Sequence, residues 1–393
     1  MKKILYVTTI SGFLPQFGMN DVSVIQGMGY EVHYASNFNN EIYAFDKNSL
    51  IGQGVVLHHI DIEKQPSRVG AAIKAVRQIR RIIDKENINI VHCHNPMGSV
   101  CARMAAWMSS TKPYVIYTAH GLHFYEGAPL KNWLFFYPVE KLLANLTDML
   151  ITINQEDYRC VSEKFRLRKK GYIEQIHGVG VNMIKFSPKP EIKEDVRKEL
   201  GIPQGALHIV TAAELNDNKN QQVIIEAISE IDNENIYYSI CGMGNTKEKL
   251  EELISEKGLT ERVRLLGFRT DMDRVLQSAD VFAFPSKREG LGIASIEALA
   301  CGIPIIALNN RGTREYTLDG VNGIMCDSNE VELFRNAIEK LCDAAQRGRF
   351  CADSCRTSVE LFSNDVVVRS MKSIYEKADT VVRQAGTAGK EEM

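Results

Sequence analysis

The sequence lacks any long uninterrupted hydrophobic run, although 45% of its 393 residues are hydrophobic. A helix that spans a bilayer needs about 20 consecutive apolar residues, so we expect no transmembrane segment. The apolar run Ile4–Val7, which follows Met1-Lys2-Lys3, is too short for an export signal and predicts a first core strand instead. We therefore expect a cytoplasmic protein.

The chain also lacks an excess of charge and a pattern of paired cysteines. Its formal net charge of −2 argues against a nucleic-acid partner, since such binding needs clustered cations. The nine cysteines are odd in number and include no C-x-x-C, which favours reduced thiols. His92 and His94 share one face of a predicted strand and could ligate a metal together. No further cluster of cysteine and histidine lies nearby in the sequence, so we predict no metal.

Short apolar runs alternate with segments of helical periodicity along the whole chain. The predicted strands are 3–9, 31–35, 55–60, 88–93, 114–119, 149–153 and 172–176 in the first half, and 207–213, 236–241, 263–266, 281–284 and 303–308 in the second. Alternation of helices with strands that are apolar throughout predicts an α/β fold with a parallel, doubly wound sheet in each half.

A segment rich in glycine and proline separates the two halves. Gly178 to Pro190, followed by a charge run from Glu191 to Glu199, predicts a linker with the domain boundary near residue 186. We expect domains over 1–186 and 187–363, a helix over 364–383 and a disordered tail over 384–393. Since ligands bind beyond the carboxyl ends of parallel strands, two such domains predict a binding cleft.

The most informative stretch is Pro285–Pro304, which follows an apolar strand and turns into a helix. Gly290 and Gly292 stand in the loop and first turn, where glycine lets the backbone approach a ligand and the helix N-terminus favours an anion. Glu289 precedes them and Glu297 lies within the helix, and carboxylates are good acceptors for sugar hydroxyls. An anion site flanked by two such acceptors suggests a nucleotide sugar.

The pattern P-S-x-x-E-G-x-G-x-x-x-x-E-A-x-A-x-G-x-P in this stretch resembles glycosyltransferase family 4. Members of that family are retaining transferases of the GT-B fold, in which two Rossmann-like domains face each other across a cleft and the last helix crosses back to the N-terminal domain. The resemblance implies that Glu289 contacts the donor sugar and Glu297 the ribose. It also implies that the amides of the intervening residues, Gly290, Leu291 and Gly292 among them, bind the diphosphate.

The segment A-E-L-N-D-N-K-N departs from the family pattern at one position. Lys219 stands where the family has a lysine that contacts the donor diphosphate, a task that suits a point cation. Glu214 stands where an arginine is usual, so either the charge comes from elsewhere or Glu214 serves the donor differently. We expect Arg288 to supply the missing charge, and near-normal turnover of an Arg288→Ala variant would contradict this.

Four other strand ends carry candidate donor contacts by the same resemblance. His120, after the strand at 114–119, matches a position that contacts the donor near the reacting sugar, which makes it a candidate catalytic residue beside Glu289. Gly12 lies in a glycine-containing loop that faces the donor or the acceptor. Gly242 lines the cleft, and Phe268 with Arg269 occupies the position that holds the nucleotide base.

The segment from His123 to Leu146 is unusually aromatic, with Trp133, Phe135, Phe136 and Tyr137 close together and flanked by lysines. Aromatic residues among cations suit a membrane interface, although a core helix with a solvated basic face would show the same pattern. This stretch also resembles the capsular and exopolysaccharide transferases of the family. Their acceptors are commonly sugars linked to a lipid diphosphate, which implies peripheral contact with the cytoplasmic face of the membrane.

These observations predict a retaining glycosyltransferase, hexosyl- or N-acetylhexosaminyl-, that uses a UDP-sugar and no metal. A sugar-nucleotide epimerase of similar fold and a non-catalytic sugar-binding protein are the alternatives. A nicotinamide-dependent oxidoreductase would need a complete glycine fingerprint after an early strand. The sequence instead has Cys241-Gly242-Met243-Gly244 late in the chain, with Lys247 in place of the third glycine.

Overall fold

The computed structural model describes residues 1–39 and 46–391. Within that part the chain forms two compact units: unit 1 comprises Met1–Val179 and the C-terminal segment from Asp365, and unit 2 comprises Gly180–Asn364. No helix of the described residues has the length and apolarity needed to cross a membrane.

Unit 1 contains a seven-stranded sheet of order β3-β2-β1-β4-β5-β6-β7, in which all neighbours pair in parallel. Strands β4, β5 and β6 are buried along their whole length, as expected of a parallel sheet covered on both faces. Its elements are β1 Lys2–Val7, α1 Met19–Gly27, β2 Tyr30–Ser36, α2 Lys47–Gly52, β3 Val55–His59, α3 Val69–Glu86, β4 Ile90–His94, α4 Pro96–Met108, β5 Tyr114–Ala119, α5 Leu130–Ala144, β6 Met149–Thr152, α6 Gln155–Lys164 and β7 Tyr172–Gln175.

Unit 2 contains a six-stranded parallel sheet of order β10-β9-β8-β11-β12-β13. The predicted α/β class and the two doubly wound parallel sheets are thus confirmed, and only the short edge strand β13 was not predicted. The elements are α7 Lys193–Leu200, β8 Leu207–Ala212, α8 Gln221–Ser229, β9 Ile236–Cys241, α9 Lys247–Glu256, β10 Val263–Gly267, α10 Met272–Val275, β11 Val281–Phe284, α11 Ile293–Ala300, β12 Ile305–Leu308, β13 Gly323–Cys326, α12 Val331–Cys342, α13 Ala344–Arg347 and α14 Ala352–Thr357.

The boundary between the two units lies between Val179 and Gly180, whereas the sequence predicts it near residue 186. The reason is local bonding: the amide of Val181 donates to the carbonyl of Phe362 at 2.8 Å. In addition, the Arg356 guanidinium donates to the carbonyls of Met183 and Phe186 at 2.6 and 3.0 Å. These bonds attach the first residues after the boundary to unit 2.

Helix α15, Asn364–Glu391, follows unit 2 in the chain but packs on unit 1. Its Tyr375 is 2% exposed, with its hydroxyl 2.8 Å from Nδ1 of His92. Asp379 of the same helix accepts a hydrogen bond from the Tyr30 hydroxyl at 2.5 Å. These polar contacts, made from a long amphipathic helix, fix the segment against the sheet of unit 1.

The helix also continues to Glu391, whereas the sequence predicts a disordered tail over 384–393. Gly386, Thr387 and Gly389 have low helix propensity, but adding residues to an existing helix is far easier than nucleating a new one. The last two residues of the predicted tail lie outside the described part of the chain.

Candidate functional site

The loop between β11 and α11 in unit 2 holds most of the predicted donor-binding residues. Gly292 has φ +97°, and a Cβ there would lie 2.6 Å from the Phe284 ring and 2.7 Å from the Tyr316 hydroxyl. Only glycine therefore fits both the left-handed backbone and the packing. Among the described residues, no side chain caps the N-terminus of α11, so its first turn keeps the positive partial charge that favours an anion. Gly290 and Leu291 occupy the loop directly before it.

Lys219 and Glu289, 70 positions apart in the chain, form an ion pair of 2.5 Å. Both side chains are largely buried, with exposed fractions of 21% and 12%. They meet because β8 and β11 are neighbours in the sheet, so that the loops at their carboxyl ends lie side by side. A cation and a carboxylate, fixed beside the N-terminus of α11, can contact a diphosphate and a sugar hydroxyl respectively.

Asn218 joins the same two loops through its backbone and its side chain. Its carbonyl accepts from the amide of Lys287 at 2.8 Å, and its Nδ2 donates to the carbonyl of Arg288 at 3.0 Å. The half-buried Arg288 side chain has no hydrogen bond or ion pair with any residue that the structure describes. Its assignment as the substitute cation for the diphosphate stays a prediction.

A third loop supports the site and was missed by the sequence argument. Arg311, only 5% exposed, donates from Nε to the carbonyl of Glu289 at 3.2 Å. Asn310 donates from Nδ2 to the carbonyl of Ser286 at 2.9 Å, and a Cβ on Gly312 would lie 2.9 Å from that of Glu289. The sequence feature that could have indicated this loop is the polar run N-N-R-G-T directly after β12, which is the neighbour of β11 in the sheet.

The glycine pair after β9 is explained by close backbone packing rather than by a dinucleotide. A Cβ on Gly242 would lie 1.8 Å from the carbonyl oxygen of Ala213, and one on Gly244 would lie 2.1 Å from that of Leu215. The amide of Leu215 also donates to the carbonyl of Met243 at 2.9 Å. The two glycines therefore let this strand end pass close to the loop that carries Lys219.

The remaining candidates of unit 2 differ in their surroundings. Phe268 is 59% exposed, and Arg269 forms a two-pronged ion pair with Asp271 at 2.9 and 2.6 Å. Glu214 is exposed, and its carbonyl rather than its carboxylate holds Gln221. Glu297 lies within α11, where burial raises the pKa of its carboxyl to about 7.

In unit 1, His120 follows β5 and lies beside His94 at the end of the neighbouring strand β4. Nδ1 of His94 is 3.0 Å from Nε2 of His120. Phe13, directly after the buried Gly12 in the loop that follows β1, packs on both imidazoles with centroids 5.4 and 5.1 Å away. Burial lowers the pKa of His120 to about 4, so that its ring is neutral at pH 7.

Asp21, His92 and His94 offer ligand atoms that all lie within 4.8 Å of one another. The sequence gives no local sign of this group, because Asp21 lies in α1, far along the chain from His92 and His94. Both ring nitrogens of His92 are already engaged, however, with the Tyr375 hydroxyl and the Thr118 hydroxyl, each at 2.8 Å. A metal bound to His92 would have to break one of these hydrogen bonds, so the absence of a metal stays a prediction.

Two family models match the chain, one in each unit. "Glycosyl transferase 4-like" matches residues 3–154, and "Glycosyl transferases group 1" matches residues 192–350. Together they account for most of both sheets.

Similar proteins match from about two thirds of the chain to nearly all of it. The putative glycosyltransferase EpsD of Bacillus subtilis strain 168 is 36% identical over 381 residues, which cover 95% of this chain and 96% of that protein. A UDP-Gal:α-D-GlcNAc-diphosphoundecaprenol α-1,3-galactosyltransferase of Escherichia coli is 29% identical over 281 residues, covering 69% and 70%. Among solved structures, Anabaena HepE in complex with UDP-glucose superposes with a TM-score of 0.77 at 18% identity, covering 96% of this chain and all of that one.

Proposed function

The chain belongs to the family-4-like glycosyltransferases, and from this membership we propose that it transfers a sugar from a UDP-sugar to a lipid-linked saccharide acceptor. The ion pair of Lys219 and Glu289 beside the N-terminus of α11 carries the proposal, because it offers a diphosphate contact and a sugar contact together. The name of the Escherichia coli relative supports a UDP-sugar donor and a lipid-diphosphate acceptor. The similarity to EpsD supports a role in cell-surface polysaccharide biosynthesis.

In the proposed reaction the acceptor hydroxyl attacks the anomeric carbon from the face that the diphosphate leaves, so the configuration is retained. The bond between the anomeric carbon and the phosphate oxygen breaks, the new glycosidic bond forms, and a departing phosphate oxygen takes the acceptor's proton. Lys219 and the positive end of α11 stabilise the charge that develops on the leaving diphosphate. Glu289 orients the sugar.

A panel of UDP-sugars tests whether the protein transfers a sugar, which class of sugar it transfers and whether the anomeric configuration is retained. UDP-hexoses and UDP-N-acetylhexosamines are each incubated with the protein and a sugar linked to undecaprenyl diphosphate, and the glycolipid product is measured by mass spectrometry. We expect one donor to give a product in which the anomeric configuration is retained. A protein that turns over no donor with any such acceptor, or that releases an epimer of the donor, would contradict the proposal.

Donor binding should depend on pH through Glu297. Its pKa of about 7 means that the carboxylate forms as pH rises through 7, and we propose that only the carboxylate accepts hydrogen bonds from the ribose. The ionised fraction rises from about a tenth at pH 6 to about nine tenths at pH 8. UDP-sugar affinity should therefore increase about tenfold between these values, as measured by calorimetry.

A Glu297→Gln variant is the control for this prediction. Its amide does not titrate, so its affinity for the UDP-sugar should stay within about twofold over the same pH range. If the variant shows the same tenfold rise as the native protein, the pH dependence belongs to another group and the assignment of Glu297 is wrong.

Membrane contact is proposed for one face of α5. Leu134 and Phe135 are 63% and 71% exposed, and the exposed Lys131 and Lys141 lie near the two ends of this helix. Of the four aromatic residues that lie close together in α5, only Phe135 is exposed, because Trp133, Phe136 and Tyr137 pack against the core of unit 1. The apolar face of α5 consists of Leu130, Leu134, Phe135, Val139 and Leu142.

Replacing Leu134 and Phe135 together by serine should weaken binding to anionic lipid vesicles at least tenfold, as measured by co-sedimentation. The reason is the loss of two apolar side chains that would enter the interface. The matched control replaces Leu318 and Leu361, which are 52% and 57% exposed in unit 2, and should bind like the native protein. A native protein that does not sediment with these vesicles would refute the proposed contact.

A further inference from the structure

The hydrogen bond between His94 and His120 constrains where each imidazole carries its proton. His94 is 2% exposed, and its ring stacks on Tyr6 with centroids 4.2 Å apart and planes 19° apart. Burial lowers the pKa of His94 well below its usual value and that of His120 to about 4. At pH 7 each ring is therefore neutral and carries a single proton, on one of its two nitrogens.

Two arrangements are possible: either His94 donates to His120, or His120 donates to His94. The surroundings of the other nitrogen of His94 decide between them. Nε2 of His94 is buried and has no hydrogen-bond partner among the residues that the structure describes. If His120 donated to Nδ1 of His94, the proton of His94 would have to be on Nε2, as a buried donor without an acceptor. Orphaned buried N–H groups are rare in folded proteins because they lose their hydrogen bonds to water.

We propose that His94 is a positioning residue: it donates the proton of its Nδ1 to Nε2 of His120 and so fixes His120 in the tautomer that is protonated on Nδ1. In this arrangement Nε2 of His94 carries no proton and presents only its lone pair. The protonation of one imidazole nitrogen is set by the hydrogen bond that the other nitrogen makes.

This inference rests on the proposed function and makes the role of His120 more specific. With Nε2 bonded to His94, only Nδ1 of His120 can serve a ligand, and it serves as a hydrogen-bond donor. An N–H donor suits an oxygen of the bound sugar or of its diphosphate. A neutral ring protonated at that nitrogen cannot take the proton of the acceptor hydroxyl, so His120 binds and orients the donor and is not the general base.

The tautomer is measured directly on the full chain without ligand. Long-range ¹H–¹⁵N correlation spectra of protein labelled with ¹⁵N-histidine distinguish the two tautomers at pH 7, and the signals of His120 are identified by their loss in His120→Asn. We expect the proton of His120 on Nδ1. A His120 ring protonated on Nε2 would overturn the proposal.

Turnover of two His94 variants separates positioning from mere packing. His94→Leu removes the donor and should lower kcat about 10- to 100-fold, by analogy with the loss of groups that orient metal-binding imidazoles, with KM for the donor changed less. His94→Asn places an amide N–H near the position of Nδ1 and should recover most of kcat. Equal losses in both variants, or native kcat in His94→Leu, would contradict positioning. If His94→Leu fails to fold, the native spectrum and His94→Asn decide.

Failure of the inference can be told from failure of the proposed function. The spectrum needs no substrate, so it tests the tautomer even if the donor is misidentified. Conversely, native turnover in a His120→Ala variant would remove His120 from the reaction while leaving the tautomer assignment intact.

Discussion

Replacing Glu289 by glutamine should lower turnover of the UDP-sugar by about 10²–10³-fold, the effect of losing one preorganised electrostatic contact with a reacting group. The substitution keeps the size of the side chain and removes its charge. Since Glu289 is paired with Lys219 at 2.5 Å, the change also frees the lysine from its internal partner. Binding of UDP alone should therefore be retained or strengthened, so the loss appears in kcat.

The matched control is Glu261→Gln, a change of the same kind at an exposed position of unit 2. It should leave both UDP binding and turnover within about twofold of the native values. Single-turnover kinetics and calorimetry with UDP measure the two quantities separately. If Glu289→Gln keeps turnover within a few-fold of native, or loses turnover and UDP affinity in equal measure, Glu289 does not act on the transferred sugar.

The local spacing of residues predicted the loop and the helix that carry Glu289 and Glu297. Both follow from one stretch of sequence, because Glu289 precedes α11 and Glu297 lies within it. The pairing of Glu289 with Lys219, in contrast, depends on β8 and β11 being neighbours in the sheet. Only the resemblance to a family suggested it. Arg311 was missed because no local pattern says that the loop after β12 returns to the carbonyl of Glu289.

The fold was predictable where the hydrophobic periodicity of a segment indicates its secondary structure. It was not predictable where tertiary contacts determine that structure. The predicted linker at Glu191–Glu199 is wrong in one part, because the structure has helix α7 at Lys193–Leu200. Its sequence is almost wholly polar, yet Arg197 is 4% exposed and pairs with Asp280 at 2.5 Å. A buried ion pair between distant positions stabilises this helix, and a hydrophobic pattern cannot reveal such a contact.

A second buried ion pair gives the largest expected effect on stability. Arg103 of α4 is fully buried, and its guanidinium donates to Glu140 of α5 at 2.8 Å. The guanidinium also lies 4.3 Å from the centre of the Tyr117 ring and donates to the carbonyl of Ser99 at 3.1 Å. Glu140 is the only carboxylate paired with Arg103 in the described part of the chain.

Glu140→Leu should therefore lower the free energy of unfolding of unit 1 by about 3–5 kcal/mol, because it leaves a buried guanidinium without its counter-charge. The double variant Arg103→Met with Glu140→Leu removes both charges and should regain most of that loss. Glu63→Leu, which breaks the exposed pair with Arg68 in unit 1, is the control and should change stability by less than about 1 kcal/mol.

Urea unfolding followed by tryptophan fluorescence suits this measurement, because both tryptophans of the chain, Trp107 and Trp133, lie in unit 1. The signal therefore reports on the unit that holds the ion pair, even if the two units unfold separately. A Glu140→Leu variant that unfolds at the same urea concentration as Glu63→Leu would show that the guanidinium finds other partners or water. In that case the double variant should be no more stable than Glu140→Leu, since no stranded charge would remain to be removed.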